Sequence, residues 1–113
     1  MKTKYSKRFL KEAKILRKKY RKIDEDLFDF VESLEGNKSI GSSRLENLGH
    51  LHVYKARVKN TSNATGKSGG FRIIYYAQIT KETFFLLTIY SKSQKTDISK
   101  KEILAILKEE NLS

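Results

Sequence analysis

The stretch Phe71-Arg72-Ile73-Ile74-Tyr75-Tyr76-Ala77-Gln78, followed by Thr83-Phe84-Phe85-Leu86-Leu87-Thr88-Ile89-Tyr90-Ser91, decides the fold. Both segments are rich in β-branched and aromatic residues, the side chains that fit a pleated, half-buried surface. They read as consecutive strands, with Gln78 to Glu82 as the turn between them. Upstream, His52–Val58 alternates strictly: Tyr54, Ala56 and Val58 fall on one face, Lys55, Arg57 and Lys59 on the other. Asn60 to Gly70, small, polar and glycine-containing, reads as a long hairpin loop, and Asn37 to Gly49 as a surface connection. Further back the period becomes helical. Phe9, Ala13, Leu16 and Tyr20 form one stripe between Ser6 and Arg21, and Ile23, Leu27, Phe30, Val31 and Leu34 form a second. Gly36 is the expected stop in left-handed conformation, and residues 1–4 are expected to add a short edge strand. Downstream, Ser99-Lys100-Lys101-Glu102 is a capping box that opens a last helix, buried through Ile103, Leu104, Ile106 and Leu107. Helices, then strands, then a helix predict an α+β fold. Two N-terminal helices pack on an antiparallel sheet of three to four strands, with a C-terminal helix, as one domain over residues 1–113.

Lys and Arg number 24 against 13 Asp and Glu in 113 residues, a formal net charge of +11. Such a surface attracts polyanions, because each neutralised phosphate releases counterions; an acidic protein partner would suit it equally. The charge is segregated. Residues 1–22 hold eleven basic side chains and one acid, Glu12, whereas residues 23–36 hold six acids and no base. Two antiparallel helices of complementary charge would follow. The absence of cysteine removes disulfides and thiolate zinc sites and suits a cytoplasmic location. The apolar stretch Phe84 to Tyr90 is far short of a membrane span, and residues 1–22 lack the apolar core of a signal peptide.

Several constellations carry little chemistry. His50 and His52 are the only histidines, with no cysteine or acid pair to complete a metal site, and their parity matches the apolar face of the strand. Asp26, Asp29 and Glu32 read as a solvated helix surface. Gly66-Lys67-Ser68 lies between strands rather than before a helix, so it is not a triphosphate-binding loop. The basic residues on the strands are different. Lys55 and Arg57 share a face, Arg72 begins the next strand, and Lys92 and Lys95 follow the third. Strand pairing would let these cations converge, with no histidine or carboxylate expected on the same face. Held on rigid strands, they could bind a phosphate and stabilise charge building on it. Ordinary solvent-facing charge is the alternative.

Three runs carry a resemblance: Val53-Tyr54-Lys55-Ala56-Arg57-Val58, Gly69-Gly70-Phe71-Arg72-Ile73-Ile74-Tyr75-Tyr76, and Ile89-Tyr90-Ser91-Lys92-Ser93-Gln94-Lys95-Thr96-Asp97-Ile98-Ser99. In this order and spacing the chain resembles the RelE/HigB family of toxins over essentially its whole length. The longer loop ending in Gly66-Lys67-Ser68-Gly69-Gly70 is closer to the HigB branch. The resemblance implies the toxin of a type II toxin–antitoxin pair, with an antitoxin, the ribosome and mRNA as partners. It also implies a metal-independent endoribonuclease with no cofactor, in which the ribose 2′-hydroxyl attacks the adjacent phosphate and leaves a cyclic phosphate. By the same likeness Lys55 and Arg57 bind and polarise phosphate, Arg72 stabilises the transition state, and Lys92 and Lys95 lie near the scissile nucleotide. Lys67, Lys14, Arg17 and Lys18 are the further RNA-binding candidates, the last three on the first helix.

The sequence also departs from RelE. A tyrosine important for RelE cleavage aligns with Ser99, and an arginine assisting the leaving group aligns with Ser93. The proton-transfer role therefore passes to Lys67, Lys92 or Lys95, if a crowd of cations favours a neutral amine, or to Tyr90. A ParE-like inhibitor of DNA gyrase on the same fold and a non-catalytic RNA-binding module are the competing classes. Gathering cations around one phosphate favours cleavage over the first. The lack of interleaved exposed aromatics counts against the second.

Overall fold

The computed structural model describes residues 1–38, 40–62, 70–95 and 97–112. The chain runs β1 (Lys2–Tyr5), α1 (Lys7–Lys19), α2 (Ile23–Glu35), β2 (Ser42–Arg44), β3 (Val53–Val58), β4 (Phe71–Gln78), β5 (Thr83–Ser91) and α3 (Lys100–Glu109). The α+β class holds, but the sheet has five strands in the order β1-β5-β4-β3-β2. It is mixed rather than antiparallel, because β1 lies parallel to β5 while the remaining neighbours are antiparallel. The edge strand expected from residues 1–4 is present. β2, within the expected surface connection, pairs with Tyr54, Lys55 and Ala56 through backbone bonds that side-chain periodicity does not reveal.

Each strand residue faces one of two layers. On one side α1 and α2 bury Phe9, Ala13, Leu16, Tyr20, Ile23, Phe30 and Leu34 against Ala56, Val58, Phe71, Ile73, Tyr75, Leu86 and Ile89. On the other, α3 buries Ile103, Ile106 and Leu107 against Val53, Ile74, Leu87 and Tyr90. The alternation read from the sequence thus separates two cores. A bulge, where Tyr75 faces Leu86 but Ile74 faces Thr88, gives β5 one extra residue at Leu87.

Local chemistry sets the helix ends. Ser6 is fully buried; its hydroxyl accepts the Phe9 N–H, capping α1, and donates to the Leu87 carbonyl at 2.7 Å, tying that cap to β5. Ser99 caps α3 by accepting the Glu102 N–H, as the capping box predicts. The stop after α2 differs from expectation. Gly36 keeps φ −86°, and Asn37 takes the left-handed conformation at φ +57°. The Asn37 and Lys38 N–H groups then bond to the Leu34 and Ser33 carbonyls, a Schellman ending with asparagine in the glycine role. At Gly70 a glycine is required, since a Cβ there would overlap the Val58 carbonyl oxygen. The Lys92 N–H bonds the Gly70 carbonyl at 3.0 Å, so the same residue fixes how β5 leaves the sheet.

The acids of α2 are not merely a solvated surface. Asp26 is buried and accepts both the N–H and the hydroxyl of Thr61, anchoring the chain after β3. Complementary charge joins the two helices through Arg17 and Asp24, 2.9 Å apart across the α1–α2 turn. His50 lies in a turn before β3, so strand parity does not extend to it.

Candidate functional site

Register places the basic strand residues. Arg57 of β3 pairs with Arg72 of β4, and Arg72 pairs with Tyr90 of β5, forming one row across the sheet on the α3 side. Directly paired residues lie roughly 5 Å apart at Cα, so two guanidinium groups and a phenol emerge side by side. Lys55, two residues from Arg57, shares this face. The two arginines differ in setting: Arg57 is exposed, whereas only 7% of Arg72 is accessible. An Arg72 Nη1 donates to the Phe71 carbonyl at 3.3 Å. Burial of a guanidinium is costly, and here it holds a permanent charge in a fixed place.

The segment after β5 folds back over this row. The Gln94 and Lys95 N–H groups both bond the Ser91 carbonyl, which turns the chain and brings Lys95 Nζ over the Tyr90 ring at 5.8 Å. Lys92 leaves the sheet at the same end. Ser93 is fixed by a 2.8 Å hydroxyl contact with Ser91, which also meets Tyr20 at 3.4 Å. Bonding to Ser91 lowers the Tyr20 pKa against the opposing effect of burial.

The expectation of a face without carboxylates is corrected. Asp97 meets Lys55 at 3.4 Å, and Glu102 meets Lys95 at 3.1 Å. Alternation within strands could not reveal either acid, because both lie beyond β5, in the approach to α3 and in its first turn. Asp97 did stand in the quoted motif, but without a role; Glu102 was legible only as a cap. Of the lysines offered for proton transfer, Lys95 thus has an acid beside it rather than cations alone. The Ile98 backbone N–H, with Lys55 and Lys92, holds the Asp97 carboxyl below its ordinary range. Bonds from Lys95 and Arg8 lower Glu102 from 4.5 to about 2.

Glu102 also belongs to a chain of charges around the free part of the β5 edge. Past Leu86, where β1 stops pairing, Glu12 of α1 accepts from the Thr88 hydroxyl at 2.6 Å and the Ile89 N–H at 3.3 Å. Arg8 bridges Glu12 and Glu102, at 3.3 and 3.1 Å. One carboxylate thus covers a strand N–H that a further strand would otherwise have paired, and an arginine links it to the acid holding Lys95.

The structure brings Lys55, Arg57, Arg72, Lys92 and Lys95 to one end of one face. It keeps Lys14, Arg17 and Lys18 on α1, in the layer across the sheet, with Arg17 held by Asp24. Lys67 lies outside the described residues. Among those residues no helix is long and apolar enough to cross a membrane. A row of arginines flanked by lysines, two of them aligned by carboxylates, can bind a phosphodiester and stabilise added negative charge. This face carries Arg72 from the second of the runs that carry the resemblance, and Tyr90, Lys92, Lys95 and Asp97 from the third. A family model described as "RelE toxin of RelE / RelB toxin-antitoxin system" matches residues 1–111, and the chain belongs to the RelE toxin family.

Proposed function

We propose that this toxin is a cytoplasmic endoribonuclease that cuts mRNA on the ribosome and so inhibits translation, closest in kind to the HigB branch. The family implies an antitoxin partner. The observation that carries the reading is the paired row Arg57–Arg72, with Arg72 buried in place. In the proposed reaction the ribose 2′-oxygen forms a bond to the adjacent phosphorus and the bond to the 5′-oxygen breaks. A 2′,3′-cyclic phosphate remains, and the proton lost by the 2′-hydroxyl is balanced by one gained at the leaving 5′-oxygen. Arg72 faces the charge building on the phosphoryl oxygens, Lys55 and Arg57 hold the phosphate, and Lys92 and Lys95 line the side of the scissile nucleotide.

These residues position and stabilise better than they move protons. Asp97 and Glu102, with lowered pKa values, are weak bases at neutral pH. Holding the 2′-hydroxyl in line is then the ribosome's share, worth several kcal/mol as positioning. The exposed cations Lys14, Arg17 and Lys18 supply a second contact, to ribosomal RNA or the antitoxin.

Primer-extension mapping of cellular mRNA after induction tests the reading. Cuts within translated frames are expected, with negligible cutting of naked RNA by purified toxin and no effect of EDTA. Growth arrest with intact mRNA would instead favour gyrase inhibition. Rapid site-specific cutting of protein-free RNA would overturn the ribosome's part. Reversing Lys14, Arg17 and Lys18 to Glu should flatten the salt dependence of ribosome association.

A further inference from the structure

Tyr90 is the member of the row whose polar atom is buried without a partner among the described residues. Its ring packs against α3 in the second core, and only 6% of the residue is accessible. Its hydroxyl is buried, yet it has no hydrogen-bond partner among the described residues. A buried hydroxyl left unpaired costs about 1–3 kcal/mol, and phenylalanine would fill the same space without that cost. Such atoms are rare enough in folded proteins to require a reason. One other buried side-chain atom among the described residues is unpaired, Asn60 Nδ2, in the chain after β3. Tyr90 differs from it in its surroundings: paired with Arg72 across the sheet, beneath Lys95, and within the field of Asp97.

We propose that, once an arriving phosphate draws Lys95 off the ring, the Tyr90 hydroxyl donates a hydrogen bond to a non-bridging oxygen of the scissile phosphate, beside Arg72, and is thereby a catalytic residue of this site. The proposal rests on the endoribonuclease reading. The missing partner of the hydroxyl is the substrate itself. Burial first, and then Asp97, raise the pKa of Tyr90, while Arg72 acts in the opposite direction. The phenol thus remains protonated at neutral pH and serves as a neutral donor rather than a base. A neutral donor next to a fixed guanidinium adds direction to charge: the arginine attracts any anion, while the hydroxyl favours one whose oxygen meets its own short reach.

The test is Tyr90→Phe, assayed on translating ribosomes under single-turnover conditions beside wild type and Arg72→Ala. The expected result is a cleavage rate about 10- to 100-fold lower, the range for a hydrogen bond to a charged group. Thermal stability should be unchanged or higher, since the variant removes an unpaired atom and keeps the ring. Wild-type cleavage by Tyr90→Phe, with Arg72→Ala inactive, would overturn the proposal and leave the endoribonuclease reading standing. A marked loss of melting temperature in Tyr90→Phe would also overturn it, because the hydroxyl would then have a partner in the free protein. If wild-type toxin cuts no mRNA, both fall together.

Discussion

The two faces of the sheet are made from the same strands and have opposite characters. Toward α1 and α2, successive inward positions such as Ala56, Val58, Phe71, Ile73, Tyr75 and Ile89 are apolar and enclosed. Toward α3 the cover is partial. Apolar residues and the Tyr90 ring fill the part under the helix, and the end carrying Arg57 and Arg72 is left to cations and the segment after β5. One residue step along β4, from Ile73 to Arg72, passes from a fully buried aliphatic to a buried guanidinium. A face completed by two helices is stable and chemically mute, whereas a face covered by one has room for groups that bind. Strand alternation keeps the two from compromising each other.

The sharpest break of that contrast compares Ile73→Ala with Arg72→Ala. Ile73→Ala should cost about 2–5 kcal/mol of stability in a denaturant melt, because it opens a cavity in a closed core. The activity of the molecules that remain folded should be nearly unchanged. Arg72→Ala should lower mRNA cleavage by about two to three orders of magnitude, with a smaller change in the melt. Its effect on folding is not nil, as strand parity alone suggests, since the side chain is itself buried. Equal activity losses per folded molecule would erase the distinction between the faces.

A smaller effect is expected at Asp97. It is exposed and bonded to Lys55 at 3.4 Å, so an arriving phosphate competes with it for that lysine. Asp97→Asn should tighten binding to RNA by ~2- to 5-fold, the scale of an exposed ion pair. It should also steepen the dependence on salt by about one counterion. Weaker binding would make Asp97 a support for the site rather than a competitor.

The smallest effect concerns pH. Glu102 has its folded-state pKa lowered from 4.5 to about 2 by Lys95 and Arg8. Its contribution to stability is therefore present above about pH 4.5 and disappears as the pH falls through about 2. Glu102 is partly exposed, so solvent screening keeps the contribution modest. Melting temperatures of wild type and Glu102→Gln should differ at neutral pH and converge on acidification. A constant offset would detach this carboxylate from Lys95 and Arg8.

The strands β3, β4 and β5, the three helices and the edge strand were legible because side-chain period and capping residues act locally. The parallel pairing of β1, the short β2 and the bulge at Leu87 depend on backbone partners far away in sequence, which periodicity does not encode. At the site, the shared face of Lys55, Arg57 and Arg72 could be read from parity within strands. The roles of Arg8, Asp97 and Glu102 could not, since they arise where a helix end and a turn approach the sheet. Asp26 illustrates the same limit: within its helix it resembles its acidic neighbours, and only the arrival of Thr61 makes it a buried anchor.

The parallel edge strand also has a consequence in time. β1 is synthesised first, but its partner in the sheet is β5, and the Ser6 hydroxyl that caps α1 bonds a carbonyl 81 residues away. Contacts at such separation incur a loop-closure entropy before they stabilise anything, and they set the pace of folding. The first strand and the anchor of the first helix therefore wait for β5 to emerge. Lys92, Lys95 and Glu102 emerge later still. The cation cluster therefore assembles only after β5 and the segment behind it, and on the proposed reading the topology imposes a delay between making this toxin and arming it.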